Sequence, residues 1–273
     1  MKHTYRLPVL VFASALSMFG CTKKHEEVDL SGIHGTTAAV RETMAPTTAA
    51  VEVTTAPETK DSAQTLPDSS ANVSARIETF KEDNVSIEYP VVSNLTDSKI
   101  QEGVNELLRS NAIAIKDYYT AEDPVTLDVT CKVISVDRSR LTAVYKGTCK
   151  TESAAYPTNI FYTNTLDLKQ VKSLGFNDYS DAYTMAGYLM SDDVRFYQST
   201  PDLTQALLAH RAASSIEEYT KLFNQADFPL SSAPDALFPE SFSYTHEGTL
   251  YFSIPVPHAL GDYAIVTFDI DGK

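Results

Sequence analysis

The chain has 273 residues, with 36 acidic and 22 basic side chains and a net charge of −14. This acidic balance excludes a nucleic-acid-binding role, which needs clustered Lys and Arg, and it disfavours adhesion to anionic lipid or anionic wall polymer. It favours a cationic partner, although acidity can also serve only to keep an exported protein soluble.

The N-terminal residues have the pattern of a secretory signal. Lys2 and Arg6 precede an apolar run over residues 7–19. This run is too short to cross roughly 30 Å of bilayer hydrocarbon as a helix. Cys21 follows this run and resembles the cysteine of a bacterial lipobox, whose thiol is lipidated. We therefore predict a signal peptide over residues 1–20 and a lipid anchor at Cys21, on the extracytoplasmic face of the cell membrane. A plain signal peptide that contains a cysteine is the alternative.

Residues 21–75 are predicted to be a disordered linker. They are rich in Thr, Ala, Ser and Pro, as in Ala45–Ala50 and Thr54–Pro57, and they contain almost no aromatic residues. A stretch of this composition buries too little apolar surface to offset the entropy of ordering the chain. It would act as a stalk that holds a folded domain away from the membrane.

Residues 76–273 hold nearly all the Tyr and Phe and can build one sizeable core. Alternation of apolar and polar residues predicts strands, and apolar residues three and four apart predict a helix. The predicted strands are Arg76–Lys81, Val85–Val91, Val125–Val136, Leu141–Lys150 and Asn159–Leu168, with a helix over Asp97–Tyr119. Four or five antiparallel strands in succession favour a meander.

The second half of the domain mixes helices with further strands. Helices are predicted around Ala182–Met190 and over Thr204–Phe223, and strands over Phe242–His246, Thr249–Pro255 and Asp262–Ile270. The sequence therefore predicts an α+β domain: an antiparallel β-sheet with helices packed on one side, preceded by the disordered stalk.

Cys131 and Cys149 remain as a pair once Cys21 is assigned to the lipid. They flank a predicted hairpin, and they lie opposite each other if its turn centres on Arg140. Because an exported domain permits oxidation, we predict a disulfide between them. Two buried free thiols are the alternative.

Six short segments, Ser86–Val92, Ile100–Asn105, Ala154–Pro157, Thr165–Leu168, Leu174–Asp178 and Phe252–Tyr263, together resemble a known family of extracellular domains. That family includes the domain before the catalytic part of the peptidoglycan deacetylase PdaC and the outside part of the lysozyme-sensing anti-sigma factor RsiV. The resemblance implies an α+β extracellular module, and binding of lysozyme in the RsiV branch.

The same resemblance singles out a candidate binding surface at Tyr156, Pro157 and His258. Tyr156 stands where the family usually has the His of a Gly-Ala-His-Pro element, and His258 lies in its closing segment. Tyrosine supplies contact area at little cost in side-chain entropy and is favoured in recognition surfaces. The alternative is that most tyrosines of this chain are half-buried edges of the core.

No local motif predicts catalysis, a metal or a cofactor. His210, His246 and His258 do not have metal-ligand spacing, and the pairs Asp192-Asp193 and Glu217-Glu218 are expected on solvated surfaces. We therefore expect a non-enzymatic binding module for a cationic, lysozyme-like protein or a cell-wall component. A peptidoglycan-modifying enzyme or enzyme accessory is the alternative function.

Overall fold

The structure is a computed structural model that describes residues 72–120, 125–229 and 238–270. The first half of the domain contains β1 (Ser74–Glu82), β2 (Val85–Ser93), α1 (Ser98–Thr120), β3 (Val125–Val136), β4 (Arg140–Thr151), β5 (Thr158–Asp167) and β6 (Lys172–Leu174). The second half contains α2 (Phe176–Tyr179), α3 (Ala182–Met190), β7 (Arg195–Phe196), α4 (Pro201–Arg211), α5 (Ile216–Asn224), β8 (Ser243–His246), β9 (Thr249–Pro255), a 3₁₀ turn (His258–Leu260) and β10 (Tyr263–Asp269).

The strands form two sheets, a six-stranded first sheet in the order β1-β2-β3-β4-β5-β6 and a four-stranded second sheet in the order β7-β10-β9-β8. The α+β class predicted from the sequence is confirmed. Ser74 and Ala75 of the predicted linker belong to β1, so this strand begins two residues before the predicted boundary at Arg76.

The predicted meander is wrong at one junction, because β2 pairs with β3 in parallel. The chain leaves β2, runs through α1 and enters β3 in the same direction as β2, as a crossover helix between parallel strands requires. From β3 to β6 the pairing is antiparallel, as expected.

Each sheet has its helices on one side. α1 packs on the first sheet, where the Tyr162 hydroxyl donates to the Ala112 carbonyl at 2.8 Å and Asn111 donates to Asn164 at 3.1 Å. The other face of β5 meets the second sheet, with Phe161 stacked on Tyr263 at 5.1 Å. A second core joins the opposite face of the second sheet to the later helices and includes Phe176, Leu189, Leu207, Phe223, Phe252 and Val266.

The single helix predicted over Thr204–Phe223 is in fact two helices, α4 and α5. Ser215 interrupts it by forming the N-cap of α5: its side chain accepts from Glu218 N at 3.2 Å, and Glu218 accepts from Ser215 N at 2.9 Å. This reciprocal capping box satisfies backbone donors that a continuous helix would use internally, so a new helix starts there.

The predicted disulfide is contradicted, since Cys131 and Cys149 are both free cysteines. Cys131 lies opposite Tyr145 and Cys149 lies opposite Leu127, so the two are four residues apart along the hairpin, or about 13 Å at the usual strand rise. A disulfide needs Cα atoms within about 7 Å. The error is in the turn, which Asp137 closes by accepting from Ser139 N at 2.6 Å, before the predicted centre at Arg140.

Candidate functional site

Tyr156 and His258 come together in the fold although they are distant in the sequence. Tyr156 and Pro157 lie in the connection between β4 and β5, and His258 begins the 3₁₀ turn between β9 and β10. The Tyr156 and His258 rings are stacked with centroids 6.2 Å apart and planes 27° apart. Tyr156 is 71% exposed, so this pair presents an aromatic surface to solvent.

Asp262 holds this surface in place. One of its carboxylate oxygens lies 2.9 Å from His258 Nδ1, and the other accepts from Asn159 N at 2.8 Å and Asn159 Nδ2 at 3.0 Å. The carboxylate therefore joins the β9–β10 turn to the start of β5. Because Nδ1 faces the carboxylate, Nε2 is the ring nitrogen left for a ligand. We call Tyr156, His258, Asp262 and Asn159 the His258 cluster.

A groove of about 250 Å³ adjoins the His258 cluster and shares Asn159 and Asp262 with it. Its walls are the last part of α1, the start of β5, the segment Phe238–Glu240 and Tyr263. We call it the Tyr118 groove, after a tyrosine that is 48% exposed at its edge.

Aromatic rings line much of the Tyr118 groove. Tyr118 meets Tyr119 edge-on at 5.0 Å and lies 6.0 Å from Phe238. Burial raises the pKa of Tyr119 to about 12, so its hydroxyl is protonated at neutral pH. The groove therefore offers fixed ring faces and neutral hydroxyl groups.

Charge in the groove has one sign. Its described lining residues include the carboxylates of Glu240 and Asp262, and none of them is Lys or Arg. Aromatic faces and carboxylates both attract a cation, and the attraction is stronger where water is partly excluded. The arrangement suits a Lys or Arg side chain of a partner.

The other candidates from the sequence are dispersed. His246 ends β8 and lies at the opposite end of the second sheet from His258, with Nε2 3.7 Å from Glu247 Oε1. Glu218 is used in the α5 capping box. Across the described ranges, no three His, Cys, Asp or Glu residues are grouped as metal ligands.

Sequence reasoning missed Asn159 and Asp262. Asp262 lies inside the closing segment that carries the resemblance, but its partner Asn159 is 103 residues away, so only the tertiary structure pairs them. Asp262 has a positive φ of 70°, and Gly261 before it has a φ of 105°. This local backbone conformation turns the Asp262 side chain back to the cluster.

The predicted signal peptide, the predicted lipidation site Cys21 and the predicted linker up to residue 71 lie outside the described residues. Within the described ranges, the helices are too short or too polar to span a bilayer.

Neither a family model nor a curated protein matches this chain. Among solved structures, it is similar to a DUF3298 family member from Bacteroides fragilis, with 12% identity, a TM-score of 0.36, and coverage of 74% of this chain and 91% of that chain. It is also similar to a DUF3298 family protein from Pseudomonas aeruginosa PAO1, with 10% identity, a TM-score of 0.30, and coverage of 66% of this chain and 81% of that chain.

Proposed function

We propose that this protein is a lipid-anchored extracytoplasmic binding module whose partner is a cationic, lysozyme-like protein. Lipidation of Cys21 would fix the mature N-terminus at the bacterial cell membrane, and the linker before β1 would project the folded domain outward. The proposal combines the export pattern, the acidic charge, the resemblance of the sequence segments and the geometry of the site.

The observation that carries the proposed partner is the lining of the Tyr118 groove. It presents tyrosine and phenylalanine rings with two carboxylates, and no cationic side chain among its described residues. A Lys or Arg of the partner would enter between Tyr118 and Glu240, where ring and carboxylate act together. The net charge of −14 would bring such a partner to the surface from a distance.

The His258 cluster would supply the rim of the interface. Tyr156 offers a large exposed ring, and Asp262 already fixes the orientation of the neighbouring imidazole. A partner would therefore order the His258 imidazole at little cost in side-chain entropy.

Binding is tested with the full chain and a c-type lysozyme, and a cationic protein of similar charge and unrelated fold serves as a second probe. We expect lysozyme binding that weakens between about 0.01 and 0.15 M salt, as the Debye length falls from about 30 to 8 Å. Tyr156→Ala should weaken it by about tenfold, equivalent to 1.4 kcal/mol. Tyr183→Ala is the matched control, since Tyr183 is 62% exposed on α3, outside the cluster.

No binding at low salt would rule out lysozyme as the partner. Equal binding of both cationic proteins, unaffected by Tyr156→Ala, would reduce the interaction to net charge alone. The anchor is tested separately. Cys21→Ser should move the protein from the membrane fraction to the soluble fraction. In the protein that keeps Cys21, mass spectrometry should find acyl groups at the mature N-terminus.

A second candidate function is modification of peptidoglycan, and it has one observation in its favour. The Asp262–His258 pair holds an imidazole in a fixed orientation at the surface, as a general base requires. Release of products from wall fragments by the purified chain, abolished in His258→Ala, would establish this activity. Absence of turnover in the unsubstituted protein would remove it.

A further inference from the structure

We propose a second binding site, a saccharide-binding cleft on the second sheet, at a surface separate from the His258 cluster. The cleft encloses about 440 Å³ and includes Tyr188, Asp193, Arg195, Tyr197, Tyr251 and Thr267 in its lining. This volume lies within the usual range for small-ligand sites. We call it the Tyr251 cleft.

Strand alternation builds the floor of the cleft. Leu250, Phe252 and Val266 point into the second core, so their neighbours Tyr251 and Thr267 point away from it. Tyr251 and Thr267 therefore form the floor on the face turned away from the second core, and Tyr251 also packs against the first core.

Two tyrosine rings form a corner in this floor. Tyr251 is stacked on Tyr244 at 4.7 Å with planes 5° apart, and Tyr197 meets Tyr251 edge-on at 5.4 Å and 85°. Tyr244 is buried, so it holds the Tyr251 ring in one orientation, while Tyr197 is 41% exposed. A pyranose ring has a face of C–H groups that would bury apolar area against such a ring.

Hydrogen bonds hold the wall of the cleft in place. The Tyr188 hydroxyl, at the end of α3, donates to the Thr267 carbonyl at 2.9 Å and lies 3.2 Å from the Asp193 carbonyl. Thr267 Oγ1 donates to the Arg195 carbonyl at 3.4 Å. α3, β7 and β10 are thereby fixed to each other around the cleft, and a ligand would find it formed before binding.

The polar groups of the cleft favour a neutral, hydroxyl-rich ligand. Arg195 supplies donors, Asp193 supplies acceptors, and Thr249 and Thr267 supply hydroxyl groups. Sugar hydroxyls donate and accept, so they can satisfy both kinds of group at once. The single Arg in the lining lies among carboxylates, which disfavours a phosphate group. The cleft also has too few apolar walls to bind a lipid chain.

The probes are the tetramer of N-acetylglucosamine and cellotetraose, titrated into the full chain by calorimetry up to about 10 mM, well above a millimolar Kd. Tetralysine is the contrasting probe. We expect binding of at least one saccharide, weakened about tenfold in Tyr197→Ala and in Arg195→Ala. Tyr183→Ala, which lies outside both the cleft and the His258 cluster, should bind saccharide like the unsubstituted protein.

Circular dichroism is used to check that each variant is folded. Because Arg195 is exposed, Arg195→Ala keeps the test decisive if Tyr197→Ala is unstable. Absence of saccharide binding, or binding unchanged in both cleft variants, would overturn the proposal. Binding of tetralysine in place of either saccharide, altered in both Tyr197→Ala and Arg195→Ala, would assign the cleft to cationic peptides instead. Lysozyme binding at the Tyr118 groove is independent of every one of these outcomes.

Discussion

Asp227 is a buried carboxyl that joins three elements of the domain. It is 4% exposed and accepts from Ser243 N at 2.6 Å, from the Ser243 hydroxyl and from Thr163 Oγ1 at 3.3 Å. A further backbone hydrogen bond comes from Phe176, so the side chain links β5, β8 and the start of α2. Burial raises its pKa to about 7, although these hydrogen bonds act to lower it.

The raised pKa predicts a specific dependence of stability on pH. Between about pH 4 and 7 the folded protein keeps the Asp227 proton that the unfolded chain has lost, so the folded state binds more protons. The contribution of Asp227 to the free energy of unfolding is therefore complete below pH 4 and is lost as pH rises through about 7.

Asp227→Asn measures this contribution, because the amide keeps the shape and does not titrate. From pH 4 to 7, the stability of the unsubstituted protein should fall by about 1–4 kcal/mol relative to the variant, measured by urea unfolding. At pH 4 the free energy of unfolding of the variant should be about 1–3 kcal/mol below that of the unsubstituted protein, because an amide satisfies the surrounding donors less well. Parallel pH profiles of the two proteins would contradict the prediction.

At the scale of elements, Gly147 sets how closely β3 and β4 approach. A Cβ at this position would lie 2.1 Å from the Asp128 carbonyl oxygen and 2.8 Å from Val129 Cα. Both are backbone atoms, so no side-chain rotation relieves the contact. β4 therefore needs a glycine there for the pairing of Gly147 with Val129.

Gly147→Ala should lower the free energy of unfolding by about 1–3 kcal/mol, as overpacking does. Gly187→Ala is the matched control: Gly187 lies within α3, and a Cβ there meets nothing within 4 Å. That change should raise stability by about 0.5–1 kcal/mol through helix propensity. Denaturant titrations compare the free energies of unfolding of the two variants directly. If Gly147→Ala were as stable as Gly187→Ala, β3 would have moved aside to make room for the Cβ.

The elements themselves were largely predictable, because their signals are local. The alternation of Val125, Leu127 and Val129 predicted the bounds of β3, Val125–Val136, and the predicted strands Phe242–His246 and Thr249–Pro255 pair as the β8–β9 hairpin. Register was not predictable in the same way. A turn that closes before Arg140 changes every cross-strand partner in the β3–β4 hairpin, and this removed the disulfide.

The candidate site was predictable only in part. The resemblance placed Tyr156 and His258 on one surface, and the fold brings their rings together. The carboxylate that fixes His258 and the groove beside it depend on contacts between distant parts of the chain, which periodicity does not reveal. The parallel pairing of β2 with β3 was missed for the same reason, since the path of α1 decides it.

At the scale of the molecule, two cores share the second sheet. One face of it contributes Tyr244 and Ile265 to the core of the first sheet, and the other contributes Phe252 and Val266 to the core beneath the later helices. The described residues belong to one compact unit. Because β9 and β10 take part in both cores, loss of either core removes support from the other.

Phe252→Ala tests this coupling at the centre of the second core. Phe252 is fully buried and meets Phe223 edge-on at 5.2 Å and Phe176 at 5.5 Å. Its truncation should lower the free energy of unfolding by about 3–5 kcal/mol. In urea, far-UV circular dichroism and hydrogen exchange at β4, which lies in the first sheet, should report one transition with the same lowered midpoint. An early loss of the later helices while β4 stays protected would mean that the two cores unfold separately, and that the two proposed binding surfaces rest on independent supports.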